Sequence, residues 1–461
     1  MIGHRVIIAL SIVAPLSATA DPDPTPSSPP GDASAPAVPA PAESTTPAPT
    51  PALPVASTAS DEPEEESAVT DADLVVLGLD STQPDDRLNI HGFADLSWRA
   101  LLIPAKDLAA NYFPKENSFV VGNVNLYVTK NLSARWRSML EVRFLYAPAG
   151  VENADGTLTH TTAPNPADLE RPIQWGGVSI ERVYLEYDVN EWLTIQAGSF
   201  LTPYGIWNVD HGSPVIIPAT RPFVIGESLF PQQQTGLHIY GKRPFGDYQL
   251  GYHATVTNGR GPFQAFRDLD QNKALGARVE IDAPWLDRVQ IGISGYRGRF
   301  TDRPADVIIA DDSGTLINTT PAGTSYDEES WGVDVLVHRG GLHLQAEVIA
   351  NNRHYRTGAR ELVRGGFASD GLYVGAYALA GYRFERWWQV MPFAVVELDR
   401  PRSGADLGDH PTILQVTAGL NFRPHPSVVL KLDYAQGEIY SAPPLGHSML
   451  RAILTQAAWA F

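Results

Sequence analysis

The feature that most constrains this chain is a strict alternation of apolar and polar residues, which begins near residue 88 and recurs to the C-terminus. In its first occurrence, the apolar Leu96 and Trp98 alternate with the polar Asp95 and Ser97. Sustained period-two alternation indicates a strand with one apolar face and one polar face. Strands of this length exceed the average for soluble proteins and suit a tilted strand that crosses a bilayer.

Short turns and long polar stretches follow one another regularly between these strands. We predict short turns at 130–133, 190–191, 243–247, 283–287, 339–341, 385–387 and 423–427. We predict long loops near 102–117, 146–177, 201–234, 258–272, 298–329, 351–371, 400–411 and 436–449. An even strand number with short turns at one end and long loops at the other is typical of transmembrane antiparallel β-barrels. The sequence therefore predicts an all-β barrel of about 16 strands, with 14 or 18 as alternatives.

The first 86 residues precede this pattern and differ from it in composition. Residues 1–20 combine a basic start, a short apolar core and Ala18-Thr19-Ala20, which together predict a cleaved secretory signal. Residues 21–86 are rich in Pro and Ala and hold 14 of the 52 acidic residues, but none of the 34 Lys and Arg. Such a composition predicts a disordered periplasmic segment. The barrel is then expected to occupy residues 87–461.

Composition and motifs also exclude several kinds of chemistry. The chain has no cysteine, so it has neither disulfides nor Cys-ligated metal sites. The net charge of −18 comes mostly from residues 21–86, and this acidic balance argues against nucleic-acid binding. No phosphate-binding loop, dinucleotide fingerprint or nucleophile motif is present in the sequence. We therefore predict neither an enzyme nor a cofactor or metal site.

A barrel of 16 strands leaves a water-filled lumen, whereas a barrel of eight strands is filled by its own side chains. Alternation directs the polar side chains of each strand toward this lumen. The predicted pore-lining residues are Arg99, Arg135, Arg137, Arg143, Arg182, Glu141, Glu186, Arg278 and Lys431. Four of the arginines lie on two neighbouring strand faces. They either form a ladder that selects anions, or pair with Glu141 and Glu186 and line a wall.

The third long loop, 201–234, is rich in proline and aromatic residues and is less polar than a solvated loop requires. We therefore expect it to fold against another part of the chain. Its candidate constriction residues are Tyr204, Trp207, Asp210, His211 and Arg221.

The stretch Ala197-Gly198-Ser199-Phe200-Leu201-Thr202-Pro203-Tyr204-Gly205 enters this loop after the strand pair at Trp192-Leu193. It resembles the corresponding strand and loop of the phosphate-selective porin O/P family, and the resemblance extends over the barrel part of the chain. It implies a porin of 16 strands whose third loop folds into the lumen and narrows it.

The last predicted strand contains aromatic residues at its C-terminal end. Phe461 shares one strand face with Trp459, Ala457 and Ile453, which is similar to the C-terminal signal read by the outer-membrane barrel-assembly machinery. Together with the secretory signal, this predicts export to the outer membrane of a Gram-negative bacterium. Outer-membrane lipid and lipopolysaccharide are then expected partners, and a homotrimer is one candidate assembly.

These features predict a passive channel for small hydrophilic solutes or inorganic ions, with an anion preference if the arginines form a ladder. The alternative is a non-conducting structural or adhesive barrel that is tethered through residues 21–86. Conductance of the purified protein separates the two hypotheses.

Overall fold

A computed structural model gives the fold of the barrel part of the chain. It describes residues 87–102, 117–146, 151–152, 158–159, 175–208, 212–226, 229–261, 270–301, 307–310, 316–319, 324–360, 362–363, 366–367, 370–386, 389–403, 412–440 and 446–461. The predicted signal at 1–20 and the predicted segment at 21–86 lie outside these residues.

Within the described residues, 16 strands form one closed antiparallel barrel. They are β1 (Leu88–Leu101), β2 (Ser118–Asn131), β3 (Trp136–Tyr146), β4 (Trp175–Asn190), β5 (Leu193–Leu201), β6 (Gln233–Phe245), β7 (Tyr248–Thr257), β8 (Ala274–Ala283), β9 (Arg288–Thr301), β10 (Ser325–Arg339), β11 (Leu342–Tyr355), β12 (Gly371–Tyr382), β13 (Met391–Ser403), β14 (Thr412–His425), β15 (Val428–Tyr440) and β16 (His447–Ala460). Each strand pairs with the next in chain order, and β1 pairs with β16 to close the ring. The predicted fold class and the strand number of 16 are confirmed.

The connections follow the predicted order of short turns and long loops. Short connections occupy residues 132–135, 191–192, 246–247, 284–287, 340–341, 383–390 and 426–427. Short two-stranded pairs within the long loops join 151–152 to 158–159, 307–310 to 316–319, and 362–363 to 366–367. The third long loop carries the one-turn helix α1 (Phe223–Gly226). In the part of the chain that the structure describes, no helix is long and apolar enough to cross a membrane.

The two strand faces separate polar from apolar side chains as the alternation predicts. In β10, Asp334 is 2% exposed on the inner face, whereas its neighbour Val333 is 54% exposed on the outer face. Outward apolar side chains of other strands are also exposed: Val183, Leu185, Val279, Ile281, Ile293, Val348, Val396 and Leu432. Such an outer surface requires an apolar surrounding, because so large a contiguous apolar area is not stable in water.

Two strand irregularities change the predicted inner face. The register between β3 and β4 shifts after Glu141, and Glu181 is the extra residue of this bulge. Glu181 and Arg182 both lie on the inner face, because their neighbours Ile180 and Val183 are exposed on the outer one. The prediction that Arg135 is a pore-lining residue of β3 is corrected. Arg135 lies in the exposed turn before β3, since the strand begins one residue later, and it does not line the lumen.

The terminal residue takes part in closing the barrel. The backbone N–H of Phe461 donates to the Gly92 carbonyl at 2.9 Å, and the Gly92 N–H donates to the Phe461 carbonyl at 2.8 Å. A Cβ atom at position 92 would lie 2.3 Å from the carbonyl oxygen of Asn125 and 3.0 Å from the Phe461 ring. Only glycine therefore fits at this position, between the backbone of β2 and the Phe461 ring.

Candidate functional site

Charged side chains on the inner faces of β3 and β4 form closely paired groups. Arg137 NH1 lies 2.6 Å from Asp188 Oδ2, and its Nε lies 3.3 Å from Glu186 Oε2. The same carboxylates accept further bonds, from the Tyr240 hydroxyl to Glu186 at 2.7 Å and from the Thr194 hydroxyl to Asp188 at 2.8 Å. Charge-assisted bonds of this kind hold each group in one orientation.

The other arginines of the predicted ladder also face carboxylates. Arg182 Nε donates to Glu141 Oε2 at 2.5 Å, and Arg143 NH1 lies 3.6 Å from Glu181 Oε1. We call the seven residues of these groups the paired-charge wall: Arg137, Glu141, Arg143, Glu181, Arg182, Glu186 and Asp188. Its arginines alternate with carboxylates in space, as the second of the two sequence hypotheses expects.

Arg278 forms a second ionic group on the inner faces of β8–β10. Its NH1 and NH2 atoms lie 2.5 and 2.9 Å from the two oxygens of Asp334, and its Nε lies 2.9 Å from Glu280 Oε2. The Ser294 hydroxyl accepts a further bond from NH1 at 3.1 Å. Arg278 thus lies on the inner face of the barrel, but it is almost completely buried.

The first part of the third loop covers this second ionic group. The backbone N–H of Gly205 donates to the Ser294 hydroxyl at 3.3 Å, and that of Ile206 donates to Glu347 Oε2 at 3.3 Å. Gly205 has a φ of +74°, and a Cβ there would lie 1.8 Å from Glu347 Oε1. The glycine therefore serves two needs, a left-handed backbone and close contact with a strand carboxylate.

Tyr204 and Trp207 anchor this part of the loop through their rings. The Tyr204 hydroxyl lies 2.6 Å from the Thr255 hydroxyl of β7, and its ring packs 5.1 Å from that of Phe230. The Trp207 ring meets the inward ring of Tyr377 edge to face at 6.0 Å. Both predicted loop residues are therefore buried between the loop and the barrel wall.

The middle of the loop is held by β15 on the far side of the lumen. Lys431 Nζ donates to the carbonyls of Ser213 and Pro218 at 2.7 and 3.0 Å, and Asp433 accepts from the backbone N–H of Ala219 at 2.7 Å. The predicted pore-lining Lys431 is thus a loop anchor, with its charge enclosed beside Asp433.

Further anchors tie the loop to other strands. Asp95 of β1 accepts from the Ser213 hydroxyl at 2.5 Å, and Glu397 of β13 accepts from the Phe223 N–H at 2.7 Å, where α1 begins. The apolar side of the loop packs against inward rings of β9, β12 and β13. This core comprises Tyr204, Trp207, Ile216, Ile217, Val224, Ile225, Leu229 and Phe230 from the loop, with Tyr296, Tyr373, Tyr377 and Phe393 from the strands. The loop therefore extends across the barrel interior.

Arg221 is a loop residue whose charge interacts with residues of the paired-charge wall. Burial and the nearby positive charge of Arg143 lower the pKa of Arg221 to about 10, while Glu181 acts in the opposite direction. Of the other predicted loop residues, Asp210 and His211 lie outside the described residues. Arg99 faces inward near Asp95 and is largely buried.

Exposure distinguishes the two charged regions of the inner surface. The side chains of Arg137 and Asp188 in the paired-charge wall are 29% and 26% exposed. Those of Arg278 and Asp334 under the loop are 3% and 1% exposed. Solvent therefore reaches the Arg137–Asp188 end of the paired-charge wall, whereas Glu141 of the same wall is fully buried and Val215 of the loop packs against a cluster that includes Met139 of β3.

Sequence reasoning missed three of the charged residues that matter here. Asp188 lies two residues after Glu186, so strict alternation would have placed it on the inner face. Glu397 lies in a strand whose faces were ambiguous in the sequence. Glu181 breaks the alternation because of the bulge, and no signal in the sequence marks it.

Comparison with known proteins supports the fold. No family model and no curated protein matches the sequence. Among solved structures, OmpT, an outer membrane protein of Vibrio cholerae, aligns with a TM-score of 0.50 at 9% identity, over 82% of this chain and 99% of that chain. The outer membrane channel DcaP of Acinetobacter baumannii gives a TM-score of 0.49 at 11% identity, over 81% and 97% of the two chains. An anion-selective porin from Comamonas acidovorans gives 0.47 at 11% identity, over 81% and 99%. At such identities the likeness to OmpT shows the fold alone.

Proposed function

We propose that this chain is an outer-membrane channel for passive diffusion of small hydrophilic solutes, with the third loop as its constriction. The observation that carries the proposal is the separation of faces on 16 strands, with charged groups inside and open apolar side chains outside. A barrel of this size needs additional elements to fill its interior. With the loop in place, the side chains of Arg137 and Asp188 on the inner wall are still 29% and 26% exposed. The likeness to OmpT, an outer membrane protein, supports the location.

The constriction lies, in this proposal, between the loop and the paired-charge wall. Anchors on β1, β11, β13 and β15 fix the loop against the other strands. Solutes would therefore pass along β3 and β4, where Arg137 and Asp188 are open to solvent and where the charge of Arg221 acts from the loop. An opening with fixed charges on both sides discriminates among solutes by charge as well as by size.

The proposal does not include phosphate selectivity or a general anion preference. Each ladder arginine in the described wall faces a carboxylate, which supports a wall of nearly balanced charge. The family resemblance thus contributes the porin class and the inward third loop. Recognition of Phe461 by the assembly machinery, binding of lipopolysaccharide and formation of a homotrimer stay predictions.

Planar-bilayer recording of the purified, detergent-folded protein tests the proposal. We expect discrete current steps in potassium chloride, because water and ions fill the route along the paired-charge wall. Heat-unfolded protein at the same concentration serves as the control and should give none. The reversal potential in a salt gradient should stay near zero, because the wall charges are paired. A folded protein that inserts and carries no current would contradict the proposal and favour a structural barrel.

A further inference from the structure

Basic side chains outnumber carboxylates on the inner face of the strands near the short connections. We call this set the turn-side ring, and we define it as the inward charged residues that lie within four positions of a short connection, together with Arg383, which directly follows β12. Its bases are Arg137, Lys242, Arg288, Arg383, Arg423 and Lys431, and its carboxylates are Asp188, Glu280 and Asp282. Six bases against three carboxylates give the turn-side ring a net charge of +3.

Two cations of the turn-side ring have no counter-charge. Lys242 is exposed on the inner face of β6, two residues after Tyr240, whose hydroxyl bonds to a carboxylate of the paired-charge wall. Arg383 follows the outward Tyr382, and its backbone N–H extends the pairing of β12 by donating to the Gly341 carbonyl at 2.7 Å. Within the part of the chain that the structure describes, neither side chain forms an ion pair with a carboxylate.

A positive ring inside a water-filled mouth attracts anions, because the low-dielectric barrel wall concentrates the field of inward charges. Charged residues of the connections have a weaker effect on the lumen, since they are exposed to bulk solvent, where salt screens them. These residues are Arg135, Glu191, Asp247, Asp287, Glu385 and Arg386. The occupant that fits the turn-side ring is therefore anionic.

The chain itself supplies an anionic stretch at this end of the barrel. Leu88 pairs with Lys130, which is the second-last residue of β2, so β1 begins beside the first short connection. The 16 residues 71–86 directly precede this strand and its Arg87, and they contain no Lys or Arg. Their five acidic residues are Asp71, Asp73, Asp80, Asp85 and Asp86. This negative charge is thus tethered to the same end of the barrel as the turn-side ring.

The stretch is long enough to reach every residue of the turn-side ring. Sixteen strands spaced about 4.8 Å apart and tilted by about 40° close into a barrel about 32 Å across. A chain of 16 residues extends to at most about 50 Å. Its five negative charges also exceed the net charge of +3, so the stretch can neutralise the ring completely.

We propose that residues 71–86 dock at the turn-side ring, where their aspartates neutralise its cations. This proposal rests on the proposed function, because its consequence is the ion selectivity of the channel. The docked stretch suppresses the anion preference that the ring alone imposes. With the ring neutralised, the full chain has the reversal potential near zero that the proposed function expects.

Reversal potentials in a potassium chloride gradient test the docking. The five-aspartate variant is the full chain with Asp71→Asn, Asp73→Asn, Asp80→Asn, Asp85→Asn and Asp86→Asn. We expect its permeability ratio of chloride to potassium to be about threefold that of wild type, because the turn-side ring is then uncompensated. The difference should shrink as the salt approaches 1 M, where the Debye length falls to about 3 Å.

A matched control removes the same number of charges farther from β1. It carries Asp61→Asn, Glu62→Gln, Glu64→Gln, Glu65→Gln and Glu66→Gln, and it should change the ratio much less than the five-aspartate variant, because residues 71–86 still neutralise the ring.

Substitutions in the barrel identify the partner of the aspartates. Adding Lys242→Gln and Arg383→Gln to the five-aspartate variant should return the ratio close to that of wild type, because the uncompensated cations are then absent. Adding Arg339→Gln instead should leave the shift in place, since Arg339 is exposed at the end of β10 on its outward face.

Three results overturn the inference in a channel that conducts. They are a wild-type ratio in the five-aspartate variant, an equal shift in the control at 61–66, and a reversal of the shift by Arg339→Gln as complete as that by the Lys242 and Arg383 substitutions. A folded, inserted wild-type protein that carries no current overturns the proposed function and this inference with it, so the presence of current distinguishes the two failures.

Discussion

Removing the third loop should raise the single-channel conductance several-fold. Leu201 and Gln233 are paired residues of β5 and β6, so their backbones lie one strand spacing apart. A four-residue turn of Gly and Ser can therefore replace residues 203–231 without moving either strand. The deletion takes away the apolar core and the anchored backbone that extend across the interior, and the freed volume fills with water. Planar-bilayer recording of the folded variant measures the change.

One comparison makes this result specific. Asn123 Nδ2 donates to Ser213 Oγ at 3.0 Å, and the chain has no cysteine, so in the double variant Asn123→Cys with Ser213→Cys a short bifunctional thiol reagent can lock the loop to β2. Cross-linking of that variant should not reduce the current. An unchanged conductance after loop removal would show that the loop does not narrow the route.

Replacing Arg278 by alanine should cost the barrel about 3–5 kcal/mol in free energy of unfolding, because two buried carboxylates lose their counter-charge. Arg278 donates to both oxygens of Asp334 and to Glu280, and all three side chains are largely buried. Urea titration of the folded protein in lipid vesicles, followed by tryptophan fluorescence, measures the change.

Arg288→Ala is the control for this effect. Its bond to Asp282 is 3.1 Å long and its side chain is 24% exposed, so solvent screens the pair. We expect a loss of about 1 kcal/mol or less. Equal losses in the two variants would mean that Arg278 is not enclosed beneath the loop.

The barrel was predictable because one physical rule operates on every strand. Lipid outside and water inside require opposite faces, and a strand reverses its side chains at each residue. Val333 and Asp334 illustrate the rule, with 54% and 2% exposure on adjacent positions. The order of turns and loops then predicted about 16 strands, with 14 or 18 as alternatives, without any knowledge of pairing.

The rule failed where local geometry departs from an ideal strand. Arg135 was assigned to the lumen by counting, yet β3 begins one residue later. Glu181 was not among the predicted pore-lining residues, because alternation from Arg182 does not reach it, yet the bulge beside Glu141 turns it inward. A bulge is a property of the pairing between two strands, so the sequence of one strand alone does not predict it.

The sequence predicted that the third loop packs against another part of the chain, but it did not predict which residues the loop contacts. Its proline and aromatic content indicated a segment that packs against something. The partners, Glu347, Glu397 and Asp433, lie on strands that are more than a hundred residues away in sequence. Only closure of the ring brings them together, so no local pattern could name them. Whether an arginine pairs with a carboxylate or extends a ladder depends on the register between neighbouring strands, which places Arg137 opposite Glu186 and Glu141 opposite Arg182.

Cysteine accessibility tests the central claim most directly, since the natural chain contains no cysteine. Arg137→Cys places a thiol on the paired-charge wall, and Leu185→Cys places one on the outer face of β4. A water-soluble, charged sulfhydryl reagent added during single-channel recording should reduce the current of Arg137→Cys in steps and leave Leu185→Cys unchanged. A block of the Leu185→Cys channel with no effect on Arg137→Cys would contradict a water-filled route along β3 and β4.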